Sequence, residues 1–292
     1  MYSNLKRSER SLPYYLLAPA VAILLAFTIY PLVVSLLNSF SSLNLSNPSK
    51  NRFVGVANYF SAITDPYFLT SVRVTLVYTL VVVAIEFVLG FFLALLLNQR
   101  YRGAGLFRVL LLIPVLLTPA IVGMVWRILY NPDFGMINYL VSLVGIRPRS
   151  WLGDLNTALP AAALVDIWQW TPFMMLLLLA GLRSLPRDPF EAALIDGASQ
   201  LRILIQITVP MLSSVITVAL LIRTIDTLRI FDQLYILTSG GPGNSTETLS
   251  LFVYKAGLKQ LRMGYASAVS YLMLIIAIII STQLLRLTAK RS

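Results

Sequence analysis

The chain alternates between long apolar stretches and short polar or basic segments. A helix needs about 20 apolar residues to cross a hydrocarbon core of about 30 Å, and each apolar stretch reaches that length. The stretches lie near residues 13–38, 72–97, 106–129, 158–182, 211–233 and 266–286. The pattern therefore predicts an all-α membrane protein with six transmembrane helices.

Composition supports a chain that is solvated by lipid. Hydrophobic residues make up 58% of the 292 positions and charged residues 12%, so the apolar surface exceeds what one soluble core could hide. The formal charge of +11 would suit a nucleic-acid reader, but the basic residues lie at the ends of apolar runs and not on one face. Cys and His are both absent, which removes thiolate and imidazole ligands and nucleophile–histidine pairs. We therefore expect the lipid bilayer as a partner, no nucleic acid, no metal site and no catalytic residues.

The basic segments set the expected orientation. Lys6, Arg7 and Arg10 precede a first apolar run that is longer than a signal-peptide core of roughly 7 to 15 residues, so we expect a retained first span. An even number of spans places both termini on one side of the membrane, and that side is richer in Lys and Arg. The positive-inside rule then predicts cytoplasmic termini. We divide the chain into an N-terminal helix with an external loop (1–71) and a membrane core (72–288).

A long loop at 184–210, between the fourth and fifth apolar stretches, carries helix signals. Asp188 can cap a helix, Pro189 suits the first helical position, and Glu191 can reach back to the cap. Two alanines and Gly197 follow at helical spacing. Because Gly inside a helix costs up to about 1 kcal/mol relative to Ala, we expect another protein to approach closely there. An amphipathic helix lying on the lipid headgroups is the alternative.

The spacing within this loop resembles a known family. EAA at Glu191, Gly197, Ile207 and Pro210 match the EAA loop of bacterial ABC import permeases, with Val209 where the family usually has Leu. The segments DIWQWTPFMMLLLLAGLRSLP (166–186) and FDQLYILTSGGPGNSTETL (231–249) resemble sugar-specific permeases of the maltose and trehalose type, in particular the subunit equivalent to the larger maltose permease component. The resemblance covers roughly residues 12–288.

The resemblance implies partners. It implies a subunit in the plasma (inner) membrane of a bacterium or archaeon that works with a second homologous permease, two copies of an ATPase subunit and an extracytoplasmic sugar-binding protein. A coupling helix would contact the ATPase through Glu191, Ala192, Ala193, Asp196 and Gly197. No P-loop is present, since GGPGNST at 240–246 lacks the Lys. We therefore expect no cofactor on this chain, with ATP and Mg²⁺ on the partner ATPase.

Ionisable residues inside the apolar stretches are candidate site residues, because a charge at mid-helix costs about 2.5–3.5 kcal/mol on insertion scales. The fourth stretch carries an acidic and two aromatic residues on one helix face, and the fifth carries charged, polar and apolar residues at the same kind of spacing. Aromatic faces with a few hydrogen-bonding groups suit a sugar. The resemblance brings substrate contacts to the same positions: Asp166, Trp170, Phe173, Arg223, Asp226, Thr227 and Ile230.

A structural explanation competes with the functional one. Arg223, Asp226, Arg229 and Asp232 alternate in sign at steps of three and could neutralise one another, with Arg229 and Asp232 rotated off the substrate face. Glu86, in the second stretch, has no partner that the sequence reveals. Pro114 and Pro119 in the third stretch and Pro172 in the fourth are expected to bend their helices.

Three functions remain open at this point. The first is an importer subunit for a disaccharide such as trehalose or maltose, with glycerol phosphate considered because of Arg223. The second is a secondary transporter or channel, in which the intramembrane charges form an ion path. The third is a membrane enzyme using the carboxylates of Asp166, Asp226 and Asp232, which lacks a nucleophile motif.

Overall fold

A computed structural model describes residues 16–99 and 103–289. The basic cluster Lys6, Arg7 and Arg10, the loop residues Arg100 and Arg102, and the tail from position 290 lie outside the described residues. Within the described part the chain is helical and contains no strand beyond an isolated bridge between Ser41 and Phe53.

Connections of different lengths join the helices. In chain order they are α1 (Leu16–Ser39), α2 (Ala57–Ile63), α3 (Pro66–Asn98), α4 (Ala104–Leu116), α5 (Pro119–Leu129), α6 (Met136–Leu143), α7 (Ala158–Ser184), α8 (Asp188–Ile195), α9 (Gln200–Met211), α10 (Ser213–Leu228), α11 (Asp232–Leu237), α12 (Leu249–Tyr254) and α13 (Met263–Ala289).

Four described helices, α1, α3, α7 and α13, are each long and apolar enough to cross a membrane. Two further pairs qualify only as bent units: α4 with α5 at 94°, and α9 with α10 at 69°. By length and composition, the described residues thus contain four candidate spans, or up to six if each bent pair counts as one. The predicted all-α membrane class is confirmed, whereas the count of six helices stays a prediction.

Proline explains the bend between α4 and α5. Pro114 lies inside α4 and Pro119 opens α5, and neither has an N–H to continue the hydrogen-bond ladder. The carbonyl of Leu117, in the break, accepts a hydrogen bond of 2.9 Å from Nε2 of Gln169 on α7. A buried side chain thereby satisfies a backbone group that lipid could not. Helix α7, by contrast, runs unbroken through Pro172.

The chain forms two compact units, and the smaller one combines residues 16–64 with 253–272. Within it, the hydroxyl of Tyr271 donates to the carbonyl of Leu32 at 2.6 Å. Nδ2 of Asn58 donates to the carbonyls of Ser39 and Ser41, both at 2.8 Å. These bonds hold the C-terminal end of α1, helix α2 and the start of α13 together.

The larger unit combines residues 65–252 with 273–289, and α7 packs extensively on α3 inside it. Gly90 allows this approach, because a Cβ there would lie 2.8 Å from Cγ of Met174. Two apolar clusters fill the unit, one around Tyr78 and Ala162 and the other around Ala94 and Met174. Glu86 on α3 and Gln169 on α7 lie between the residues that these helices contribute to the two clusters.

Candidate functional site

Three charged side chains from three helices meet between the apolar clusters. Glu86 comes from α3, Asp166 from α7 and Arg223 from α10, and each is at most 2% exposed. Nε and Nη2 of Arg223 donate to Oε2 and Oε1 of Glu86, each at 2.7 Å. Nη2 also donates to Oδ1 of Asp166 at 3.4 Å. Glu86 is thus a bidentate partner of Arg223, and the three residues form a buried charge cluster with one carboxylate in excess.

Neighbouring side chains complete this charge cluster. The hydroxyl of Tyr78 donates to Oδ2 of Asp166 at 3.2 Å. The indole ring of Trp170 lies beneath the guanidinium, with Cζ of Arg223 4.9 Å from the ring centroid. Ring stacking and bidentate pairing both suit Arg more than Lys. These contacts fix the orientation of Arg223 and of the Trp170 ring next to it.

A cavity of about 180 Å³ opens beside the charge cluster. Six of the seven residues predicted to contact substrate line it, namely Asp166, Trp170, Arg223, Asp226, Thr227 and Ile230. The seventh, Phe173, is not among the lining residues but packs edge-on against Trp170, with ring centroids 6.0 Å apart. The structure therefore brings the candidate residues of the fourth and fifth apolar stretches together at one site.

The end of α10 differs from the sequence-based expectation. The helix stops at Leu228, so Ile230 reaches the cavity from the connection before α11 and not from a continuing helix face. Arg229 and Asp232 also line the cavity. The expectation that they rotate off the substrate face is therefore wrong, because it assumed a helix through residue 233.

Of the charged residues in the fifth stretch that were expected to neutralise one another, Asp226 and Arg229 form an ion pair. Nη2 of Arg229 lies 3.3 Å from Oδ1 of Asp226, and these side chains are 64% and 43% exposed. Arg223 instead finds its partners on α3 and α7.

Sequence reasoning missed two contributors. Glu86 was noticed as an acidic residue inside an apolar stretch, but its partner is 137 positions away along the chain. Gln233 is 1% exposed and lines the cavity, and its Nε2 has no hydrogen-bond partner. A glutamine at the last position of a predicted span carries no charge, so the sequence does not mark it as costly inside a membrane.

The predicted coupling loop forms two helices joined by a sharp turn. Helix α8 begins at Asp188 after Arg187, without a side-chain cap, so Asp188 is the first helical residue and not the cap. Gly197 is not inside the helix as expected, because it has φ +75° and follows the last turn. The N–H of Gly197 bonds the carbonyl of Leu194, and the N–H of Ala198 bonds that of Ala193. This pair of bonds is a Schellman motif, which favours glycine at that position.

The surface of α8 is open. Leu194 and Ile195 are 54% and 87% exposed. Glu191, Ala192 and Asp196 are exposed as well, whereas Ala193 is partly covered. Beside the loop lies a second cavity of about 800 Å³, with Phe190 and Glu191 among its lining residues. The predicted coupling residues thus lie on or directly after a short helix that exposes two large apolar side chains.

Apolar helices around a buried charged site, with a helical EAA loop outside them, define the permease class of membrane transport subunits. A family model for binding-protein-dependent transport system inner membrane components matches residues 86–291. The chain is 41% identical to the trehalose/maltose transport system permease protein of Thermococcus litoralis, over 86% of this chain and 85% of that one. It is 38% identical to the trehalose transport system permease protein of Mycobacterium tuberculosis, over 91% and 85%.

The fold agrees with this match. A solved chain from a bacterial ABC transporter involved in the import of the acidic polysaccharide alginate aligns with a TM-score of 0.85, covering 99% of this chain and 98% of that chain at 22% identity. The chain belongs to the family of binding-protein-dependent transport system inner membrane components. The family resemblance seen in the EAA loop is thereby confirmed. Since its relatives are permease proteins, the chain is a transport subunit and not an enzyme.

Proposed function

We propose that this chain is the permease subunit of an ATP-driven importer that moves a sugar, and most specifically a disaccharide such as trehalose or maltose, into the cytoplasm. The observation that carries the proposal is the cavity in which Trp170 adjoins Asp166 and Arg223. The two relatives are named as permeases for trehalose and maltose or for trehalose, which agrees with these substrates.

Sugar chemistry fits the lining of this cavity. A pyranose ring offers an apolar C–H face that can stack on an indole, and its hydroxyls can each donate and accept a hydrogen bond. Asp166 and Asp226 can accept. Thr227 donates its hydroxyl proton to the carbonyl of Arg223 at 2.6 Å, so its oxygen can accept from a sugar hydroxyl as well. We assign substrate contact to these residues together with Trp170 and Arg223, and place Ile230 and Phe173 as apolar support.

The size of the cavity supports a second permease subunit. Small-molecule pockets usually hold roughly 300–1,000 Å³. This cavity holds about 180 Å³, so one chain would supply only part of a disaccharide site. A second, homologous permease facing the cavity would supply the rest.

The loop carrying α8 would couple transport to ATP. Exposed Leu194 and Ile195, next to small Ala192, offer a surface that an ATPase groove could bury. We propose one ATPase subunit on each permease, with ATP and Mg²⁺ bound there. An extracytoplasmic binding protein would deliver the sugar on the opposite side. Cytoplasmic termini are part of this proposal and are supported by the distribution of Lys and Arg along the chain.

Uptake of labelled sugar by proteoliposomes tests this function. The complete complex should import trehalose or maltose when ATP is inside with the ATPase and the binding protein is outside. Removing ATP, the ATPase or the binding protein should each reduce uptake to background. Uptake without any ATPase would instead support a secondary transporter or channel. In that alternative the intramembrane charges would form an ion path.

A further inference from the structure

The charges around the cavity suggest which sugars it accepts. Three aspartates and two arginines line the cavity, and Glu86 adjoins it through Arg223. Among the described residues at the site, carboxylates therefore outnumber guanidiniums by two. The lining groups are Asp166, Arg223, Asp226, Arg229 and Asp232.

Arg223 is not available as an anion-binding group. Two of its nitrogens, Nε and Nη2, are engaged by Glu86 at 2.7 Å, and Nη2 is shared with Asp166. Its planar face is covered by the ring of Trp170. An anion that replaced Glu86 would break a buried bidentate pair, which is strongly unfavourable. An anion that approached the third nitrogen, Nη1, would lie close to the carboxyl groups of Glu86 and Asp166.

Arg229 adds little attraction for an anion. It is 64% exposed, so solvent and salt screen its charge, and Asp226 lies 3.3 Å away. The next acidic residue along the chain, Asp232, lines the same cavity. Around the cavity, carboxyl groups therefore outnumber guanidinium groups despite the two arginines.

The hydrogen-bonding groups at the cavity, like its charged groups, favour ligands that are not anionic. Ionised carboxylates can only accept, so a ligand must bring donors to meet Asp226 and Asp232. Hydroxyl and ammonium groups bring donors, whereas sulfonate and ionised phosphate bring acceptors alone. The unpartnered Nε2 of Gln233, buried at the cavity, can donate to a hydroxyl oxygen.

We propose that this cavity selects neutral or amine-bearing saccharides and discriminates against sugars that carry phosphate, sulfonate or carboxylate groups. The proposal rests on the proposed function, since it assigns a substrate class to the same site. Glycerol phosphate, which Arg223 brought into consideration, is disfavoured because Glu86 already occupies that guanidinium.

Binding to the assembled complex tests the proposal without the selectivity of the binding protein. The two permeases and their ATPases are placed in lipid nanodiscs, and binding of tritiated trehalose is measured directly. Trehalose 6-phosphate and 6-amino-6-deoxytrehalose serve as competitors, because they share both rings and differ in charge at one position. We expect the phosphate to compete at least tenfold more weakly than trehalose, and the amine at least as well.

Two charge-neutralising variants separate a local effect from a general one. Asp226→Asn removes one negative charge at the cavity and frees Arg229. We expect it to narrow the preference for trehalose over its phosphate about tenfold. Asp133→Asn removes the same charge from an exposed loop outside the cavity and should leave the preference unchanged.

The outcomes distinguish failure of the selectivity proposal from failure of the proposed sugar-importer function. If trehalose 6-phosphate competes as well as trehalose, or if both variants behave alike, the selectivity proposal is wrong while the importer function stands. If none of the three saccharides binds, although the complex is intact, the sugar site itself is wrong and both proposals fail.

Discussion

At the scale of single residues, the pairing of Glu86 with Arg223 makes a prediction about stability. Removing one partner of a buried ion pair leaves an uncompensated charge and typically costs about 3–5 kcal/mol. Arg223→Gln leaves two buried carboxyl groups without a cation, so we expect it to lower the free energy of unfolding by about that amount. Glu86→Gln leaves Arg223 paired with Asp166 and should lower the free energy of unfolding by less. The double variant should cost less than the sum of the two single variants. SDS titration of the permease in mixed micelles measures all four free energies.

The exposed pair Asp226 and Arg229 provides the matched comparison. The same cycle with Asp226→Asn and Arg229→Gln should show a coupling below about 1 kcal/mol, since both side chains are partly solvated. Equal coupling in the two cycles would mean that burial does not strengthen the pair on Glu86, contrary to the structure.

The contrast between these pairs shows what the sequence could reveal about the site. Asp226 and Arg229 are three positions apart on one helix, so their contact follows from helical geometry. The contact of Glu86 with Arg223 depends instead on how α3, α7 and α10 pack. The sequence marked both residues as costly inside a membrane, but only tertiary structure pairs them.

At the scale of elements, Gly197 decides how helix α8 ends, and it yields a second prediction. A Cβ at this position would meet no atom within 4 Å, so a side chain here would not clash with the rest of the chain. The cost of a substitution therefore comes from backbone strain at φ +75°. Gly197→Ala should cost about 1–2 kcal/mol, whereas Asn tolerates this conformation. Such a cost shifts the population of the ordered loop about 5- to 30-fold. We expect Ala to lower binding-protein-stimulated ATPase activity and sugar uptake, and Asn to retain both.

This pair of variants separates two roles for the glycine. If Ala and Asn abolish activity equally, the space left by the missing side chain is what matters, as close approach by the ATPase would require. If Ala behaves like the wild type, neither role holds.

The elements also show where prediction from sequence stops. Apolar length placed α3 and α7 within a few residues of their observed bounds, because burial in lipid needs a run of fixed length. Proline marked the break between α4 and α5, yet Pro172 leaves α7 continuous. The difference lies in tertiary contacts such as that of Gln169 with the Leu117 carbonyl, which no local pattern encodes.

At the scale of the whole molecule, the topology across the membrane can be tested with single cysteines, because the natural chain has none. Two exposed positions, Asn156 and Gln200, flank α7 and α8. With cytoplasmic termini, Asn156→Cys should react with a membrane-impermeant maleimide in intact cells. Gln200→Cys should react only after permeabilisation, and the reverse result would invert the orientation.

The same method decides whether the bent pair α4 and α5 is one span. Gly105 precedes most of α4 and Asp133 follows α5, and both positions are exposed. If the pair crosses the membrane despite its 94° bend, Gly105→Cys should be protected in intact cells and Asp133→Cys should react. A re-entrant pair would leave both on one side, so both would be protected or both would react. Since α9 and α10 are joined by a similar bend of 69°, a crossing by the first pair would favour a crossing by the second and hence six spans.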